Sequence, residues 1–171
     1  VGKPLSKPLT NGFLLGSDSL GRDVASGIVH GAKTSLLIGF VATLVSVFIG
    51  IFFGAFAGYF GGLIDDILMR VTEIFQTIPS FIFAILLVAI MKPSMSSIVI
   101  AIAVVSWPGV ARLVRGEFLA VKNREFVQAC HTLGMSDLRI MLWEILPNCL
   151  SPIIVVGSLM VATAILIESG L

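Results

Sequence analysis

Residues 34–59 read TSLLIGFVATLVSVFIGIFFGAFAGY, a run with no charged side chain and no proline. About 20 helical residues at 1.5 Å rise cover the roughly 30 Å hydrocarbon layer of a bilayer, so this run is long enough to cross one. Uncharged runs recur at residues 74–91, 93–111 and 145–167. Together they predict an all-α, polytopic membrane helical bundle. Composition agrees: 57% of residues are hydrophobic and 12% charged, against about 25% charged in soluble domains. That balance excludes a soluble enzyme, a secreted disulfide scaffold and a disordered tail.

Working outward, the pattern divides the chain into a polar lead-in at 1–33 and a transmembrane domain at 34–171. Spans are expected at about 34–59, 64–91, 96–113 and 148–168, with a long charged connection at 114–147. A short helical stretch at 23–30 precedes the first span. Within that span Gly50, Gly54 and Gly58 recur every four residues and form one smooth stripe for close approach of another helix. Gly61 and Gly62 break the helix, and Asp65, Asp66, Arg70 and Glu73 follow at spacings that allow pairing along a helix face. Pro79 is expected to kink the second span, the third contains Trp107 and Pro108, and Pro147 and Pro152 are expected to open the fourth. The N-terminal residues carry Lys3, Pro4, Lys7 and Pro8 and do not read as a signal peptide; the first residue is Val1 rather than Met, which reads as a fragment.

The positive charges orient the bundle. Arg70, Arg112, Arg115, Lys122, Arg124 and Arg139 fall on one side, against Arg22, Lys33 and Lys92 within reach of the spans on the other. The positive-inside rule therefore places the 114–147 connection in the cytoplasm and the lead-in outside.

The interiors of the spans carry no ionisable residue, so no intramembrane proton relay and no reactive group at depth is available. Glu73 and Glu168 lie at span edges. A net charge of +1 excludes a basic nucleic-acid surface. Cys130 and Cys149 have no metal-ligand spacing to His30 and His131, so no metal site, disulfide or cofactor is expected. A channel should line its pore with rings of polar side chains, whereas Thr43, Ser46, Gln76, Thr77 and Ser106 are scattered. If the protein moves a solute uphill, the energy comes from a partner.

The cytoplasmic connection is the most informative segment. Residues 123–133 read as a short amphipathic helix with Phe126, Val127, Cys130 and Leu133 on one face and Arg124, Gln128 and His131 on the other. Gly134 sits where a helix C-cap needs a positive φ, and Ser136 can cap a second helix starting at Asp137. Pattern alone leaves two readings open: an interfacial helix lying in the headgroups, or a knob offered to a groove on a soluble partner.

Two segments resemble one family. Leu15-Gly16-Ser17-Asp18-Ser19-Leu20-Gly21-Arg22-Asp23, followed by Gly31-Ala32-Lys33-Thr34-Ser35-Leu36, is similar to the LGTDxxGRD and GARxSL elements of the inner-membrane permeases of binding-protein-dependent ABC importers. Gln128-Ala129-Cys130, then Gly134, then Leu146-Pro147 resembles the EAA loop of those importers without a gap. Gly58-Tyr59-Phe60-Gly61-Gly62, Met69-Arg70, Ser106-Trp107-Pro108 and Ala111-Arg112-Leu113-Val114-Arg115-Gly116 also look like the second permease of the dipeptide, oligopeptide and nickel branch. The likeness covers about residues 13–171. Three loop positions depart from the pattern: Gln128 replaces Glu, Cys130 replaces the second Ala, and Glu144 replaces Ile.

The resemblance implies a MetI-like permease fold with two further spans, one before and one after this stretch. It implies a non-catalytic subunit of the prokaryotic inner membrane, pairing with a second homologous permease. Two ATP-binding cassette ATPases would sit below and an extracytoplasmic solute-binding protein outside. Coupling to the ATPase would fall on Glu125, Phe126, Gln128, Ala129, Cys130, Leu133, Gly134, Met135 and Asp137. Gly16, Asp18, Gly21, Arg22 and Asp23 would form the extracytoplasmic signature. Independently of the resemblance, Glu168 ends an uncharged run, where a carboxylate is tolerated only if hydrated or paired, and is expected near the outer surface at the path or its gate. Di- or oligopeptides are the leading substrate class, ahead of nickel or another metal chelate and of oligosaccharides.

Overall fold

The computed structural model describes residues 4–10 and 13–171, so residues 1–3 and 11–12 of the expected lead-in lie outside the described residues. In chain order the helices are α1 (Val24–Phe60), α2 (Gly62–Thr77), α3 (Ser80–Met91), α4 (Met95–Val121), α5 (Glu125–Thr132), α6 (Asp137–Arg139), a π-helical turn (Ile140–Ile145) and α7 (Leu146–Gly170). The described residues contain no strand beyond two isolated bridges. Three helical stretches are long and apolar enough to cross a membrane, and a fourth crossing results if the bent α2–α3 pair is one span. The chain divides into two compact units, Val1–Leu37 and Ile38–Leu171.

In the first unit the lead-in folds on itself. The Leu5 N–H donates to the Asp18 carbonyl at 3.0 Å, Ser17 N–H to the Ser6 carbonyl at 3.2 Å, and Ser6 N–H to Ser17 Oγ at 2.9 Å. The turn needs Gly16 at φ +82°, where a Cβ would also run into the Ser6 carbonyl oxygen. Asp23 ends the turn and caps α1, its Oδ1 accepting from Ala25 N–H at 3.1 Å. The expected short helix at 23–30 is present, but it is continuous with the first span, so that α1 runs unbroken from Val24. Lys33 marks where the apolar run starts but does not interrupt the helix.

In the second unit the glycine stripe of α1 lies against α4. A Cβ on Gly50 would come within 2.5 Å of Val110 Cβ, and one on Gly58 within 2.6 Å of Phe118 Cβ. A Cβ on Gly54 would meet the Ala111 carbonyl oxygen. The two backbones approach as closely as glycine allows, which is how small residues replace a hydrophobic driving force between helices in lipid. Against this seam Val110, Val114, Phe118, Val121, Val127, Ile140, Met141, Ile145, Cys149 and Ile153 form one buried cluster. Large apolar side chains such as Phe48, Ile82, Ile154, Leu159 and Leu166 remain exposed, as a lipid-facing surface requires.

The expected second span is two helices rather than one kinked helix. Ile78 and Pro79 are extended, and α2 and α3 bend by 82° across them. The proline forces the preceding residue out of the helical region, and the break is too sharp for a kink. Phe75 and Trp107 pack edge to face near the break, with ring centroids 5.3 Å apart.

The charged connection also differs from expectation. Helix α4 does not end at residue 113 but runs through Arg112, Arg115 and Glu117 to Val121, since none of these residues breaks a helix. Pro147 lies in the first turn of α7, as expected, but Pro152 is inside it and the helical path does not begin there. A continuous helical path runs from Asp137 to Gly170, and Pro147 follows the π-helical turn. Pro147 has no N–H to give the preceding turn, and its ring crowds the carbonyl four residues back; widening the helix there, with Leu146 N–H reaching the Met141 carbonyl, accommodates both.

Candidate functional site

The 125–137 segment is a helix, a tight turn and a helix start. Gly134 has φ +75°, the left-handed conformation its sequence position required. Its N–H donates to the His131 carbonyl at 3.0 Å, and Met135 N–H to the Cys130 carbonyl at 3.2 Å. These two bonds form a Schellman motif, with Cys130 and Met135 both packed on the core cluster. Nothing lies within 4 Å of a Cβ built at Gly134, so only its backbone conformation calls for glycine.

The apolar residues of α5 divide between two faces, which corrects the single face expected. Val127 is fully buried and Cys130 half-buried, anchoring the helix to α4 and the π-helical turn. Phe126 and Leu133 point outward, Leu133 at 80% exposure. With exposed Ala129 they stand at i, i+3 and i+7, a narrow outward ridge flanked by Glu125, Gln128, His131 and Thr132. The helical period of the apolar set could not show which half its own bundle would use.

Asp137 begins α6, but Ser136 makes no side-chain cap. Asp137 Oδ1 instead accepts from the Tyr59 hydroxyl at 2.7 Å, and the Tyr59 ring stacks on His131 with centroids 6.3 Å apart. Lys122 Nζ donates to the Tyr59 carbonyl at 3.4 Å, which satisfies one acceptor at the end of α1. Tyr59 had no role in the sequence reading beyond its place in the Gly58–Gly62 stretch. Its only signal was a lone Tyr at the end of an apolar run. A second missed contact is the bidentate pair of Arg115 with Asp65, joining α4 to α2; the local pairing expected of the acidic cluster is made by Arg70 and Glu73, at 3.1 Å.

In the lead-in, the Asp18 carboxylate gathers the N–H groups of Leu20 and Arg22, each at 2.8 Å, and Arg22 Nε at 2.9 Å. Gly21 takes φ +75° inside this loop. The Arg22 backbone N–H, helped by that of Leu20 and by the Arg22 guanidinium, holds the Asp18 carboxyl below the usual carboxylate range. Gly16, Asp18, Gly21, Arg22 and Asp23 are thus brought into one turn. A depressed carboxylate stabilises the loop above the ordinary carboxylate range, and that contribution is lost as pH falls through the native value. Asp18→Ala is expected to speed hydrogen exchange of the Leu20 and Arg22 amides severalfold at neutral pH. Unchanged exchange at both amides would show that the carboxylate does not order the loop.

Glu168 lies half-buried in the last turn of α7, where its carbonyl accepts from Leu171 N–H at 3.2 Å. Two residues on, a Cβ at Gly170 would sit 2.9 Å from the Phe81 ring, so the end of α7 meets the start of α3. The structure does not bring Glu168 together with the 125–137 segment.

Fold and site together define a class: a multi-span helical membrane protein that carries an outward helix–turn–helix at one end of its bundle. Residues 50–170 match the family of binding-protein-dependent transport system inner membrane components, and the chain belongs to that family. It is 41% identical over 159 residues to the di/tripeptide transport system permease protein DppC of Pseudomonas aeruginosa (strain UCBPP-PA14), covering 93% of this chain and 52% of that one. Against the oligopeptide transport system permease protein OppC of Escherichia coli (strain K12) it is 43% identical over 163 residues, covering 95% and 54%. Against the dipeptide transport system permease protein DppC of Bacillus subtilis (strain 168) it is 43% identical over 156 residues, covering 91% and 49%. The chain therefore spans about half the length of the curated relatives it matches. Its fold is similar to a chain of the MetNI methionine ABC transporter in an inward-facing conformation, with a TM-score of 0.72 at 18% identity, over 82% of this chain and 71% of that one.

Proposed function

We propose that this chain is the core of a permease subunit in an ATP-driven, binding-protein-dependent importer of di- or oligopeptides. The observation that carries the reading is the outward ridge of Phe126, Ala129 and Leu133, held rigidly by the buried Val127 and the Gly134 turn but unused by the chain's own bundle. In a family of transport components, a rigid apolar ridge on the cytoplasmic side suits docking to an ATPase. The relatives' names supply the peptide class. The subunit is non-catalytic and works with a second permease, two ATPase subunits and an extracytoplasmic binding protein. Arg22, Lys33 and Lys92 on one side and the six basic residues on the other orient the lead-in outward and the 125–137 segment inward. Glu168 belongs to the outer end of the path.

The test is reconstitution of the full-length permease with these partners in liposomes. Trialanine uptake is expected only with ATP inside and binding protein outside. Uptake of nickel or an oligosaccharide in its place would overturn the peptide assignment. In whole cells with a permeabilised outer membrane, a cysteine at Ser17 is expected to react with an impermeant reagent and one at Ser136 to stay protected; the reverse pattern would invert the topology.

A further inference from the structure

The last turn of α1 and the first residue of α6 are far apart in sequence, yet the Tyr59 hydroxyl donates to Asp137 Oδ1 at 2.7 Å. Each end of this contact is fixed to something different. On one side, Gly58 next to Tyr59 is pressed on Phe118 and Arg115 of α4, so the end of α1 cannot slide without moving α4. Gly61, at φ +65°, turns the chain away immediately afterwards, leaving Tyr59 at the helix terminus. On the other side, Asp137 follows the Gly134 turn and begins the helical path that runs to Gly170. The aromatic ring adds a stacking contact to His131 on α5, so one side chain touches both arms of the helix–turn–helix.

We propose that Tyr59 is a positioning residue for energy coupling: its hydrogen bond to Asp137 and its stacking on His131 carry displacement of the docking helix into α1 and, through the glycine seam, into α4. The proposal rests on the docking reading above. A rigid-body push on α5 is passed to α7 through the chain itself and to α4 through the buried Val127. Without Tyr59, α1 would have no polar link to the moving segment among the described residues, apart from the Lys122 contact to its carbonyl, which comes from the end of α4. The open groove beside the contact is lined by Phe60 and by the polar side chains of Tyr59, Lys122, Asn123, Gln128, His131 and Asp137, so the contact lies at the surface where it can shift.

The test uses the full-length complex in liposomes, with trialanine-loaded binding protein, and reads trialanine transported per ATP hydrolysed. Tyr59→Phe keeps the ring and removes the hydroxyl, which donates to Asp137 and lies 3.5 Å from His131 Nε2. It is expected to lower that ratio by about threefold to tenfold, the range set by losing one hydrogen bond, while the subunits still co-purify. Asp137→Ala should lower it equally, and the double variant no further, because both remove the same bond. Asp137→Asn retains an acceptor oxygen and should keep most of the ratio. Tyr59→Phe with the wild-type ratio, or single losses that multiply in the double variant, would overturn the proposal. If Ala129→Asp uncouples the complex while Tyr59→Phe does not, the positioning role fails alone; if neither has an effect, the docking reading fails with it.

Discussion

Gly54→Leu is expected to prevent recovery of assembled permease. A Cβ at this position would collide with the Ala111 carbonyl oxygen, sit 2.7 Å from Val114 Cβ and lie 3.0 Å from the Arg115 backbone nitrogen. Two of these three neighbours are backbone atoms, which cannot rotate aside. Overpacking a well-filled core costs about 1–3 kcal/mol when side chains can adjust. Here the α1 and α4 axes must separate along the whole seam, so Gly50 and Gly58 lose their contacts as well. Gly27→Leu is the control, since nothing lies within 4 Å of a Cβ there. The measurement is the monodisperse fraction of full-length protein in detergent and its melting temperature. Gly54→Leu that purifies and melts like the wild type would show that the seam does not hold the bundle.

Much of the fold was legible because membrane insertion leaves a coarse signal. Uncharged runs located the apolar helices, and the spacing of Gly50, Gly54 and Gly58 identified the face that packs. What charge and hydropathy could not mark were the helix ends. Helix α4 continues past the apolar run because its charged residues are good helix formers, and α1 runs unbroken through Lys33 from its cap at Asp23. The prolines were legible as irregularities but not in kind. Pro79 separates two helices at 82°, whereas Pro147 is absorbed by a π-helical turn inside a continuous path. Which outcome follows depends on the packing of neighbouring elements, and that is absent from local sequence.

The candidate site was legible in its turn and less so in its faces. Positive φ at Gly134 followed from the cap position, because glycine adopts the left-handed conformation just past a helix end without a Cβ penalty. The direction of Phe126 and Leu133 did not follow, because a short amphipathic helix with apolar residues on adjacent positions can present either side. Tyr59 and Asp137 meet from helices 78 residues apart, and Asp65 and Arg115 from helices 50 apart, and no local pattern pairs residues at such separations.

The largest functional effect is expected at the turn itself. Gly134→Val places a β-branched residue at φ +75°, a conformation that costs L-residues about 1–2 kcal/mol, with no steric obstacle nearby to confuse the interpretation. The strain is relieved if the turn reopens, which shifts the C-terminal end of α5 and Leu133 relative to α6 about the buried Val127 anchor. Ala129→Asp acts differently: Ala129 is exposed at the centre of the ridge, so a carboxylate there spares the fold and puts an unpaired charge where a partner would exclude water. Both variants should insert and co-purify with the second permease. The direct measurement is ATPase activity of the complete reconstituted complex, with and without loaded binding protein. The docking account predicts that Ala129→Asp and Gly134→Val both lose stimulation by the binding protein along with trialanine uptake; wild-type stimulation and uptake in both would contradict it and leave α5 as a helix lying in the headgroups.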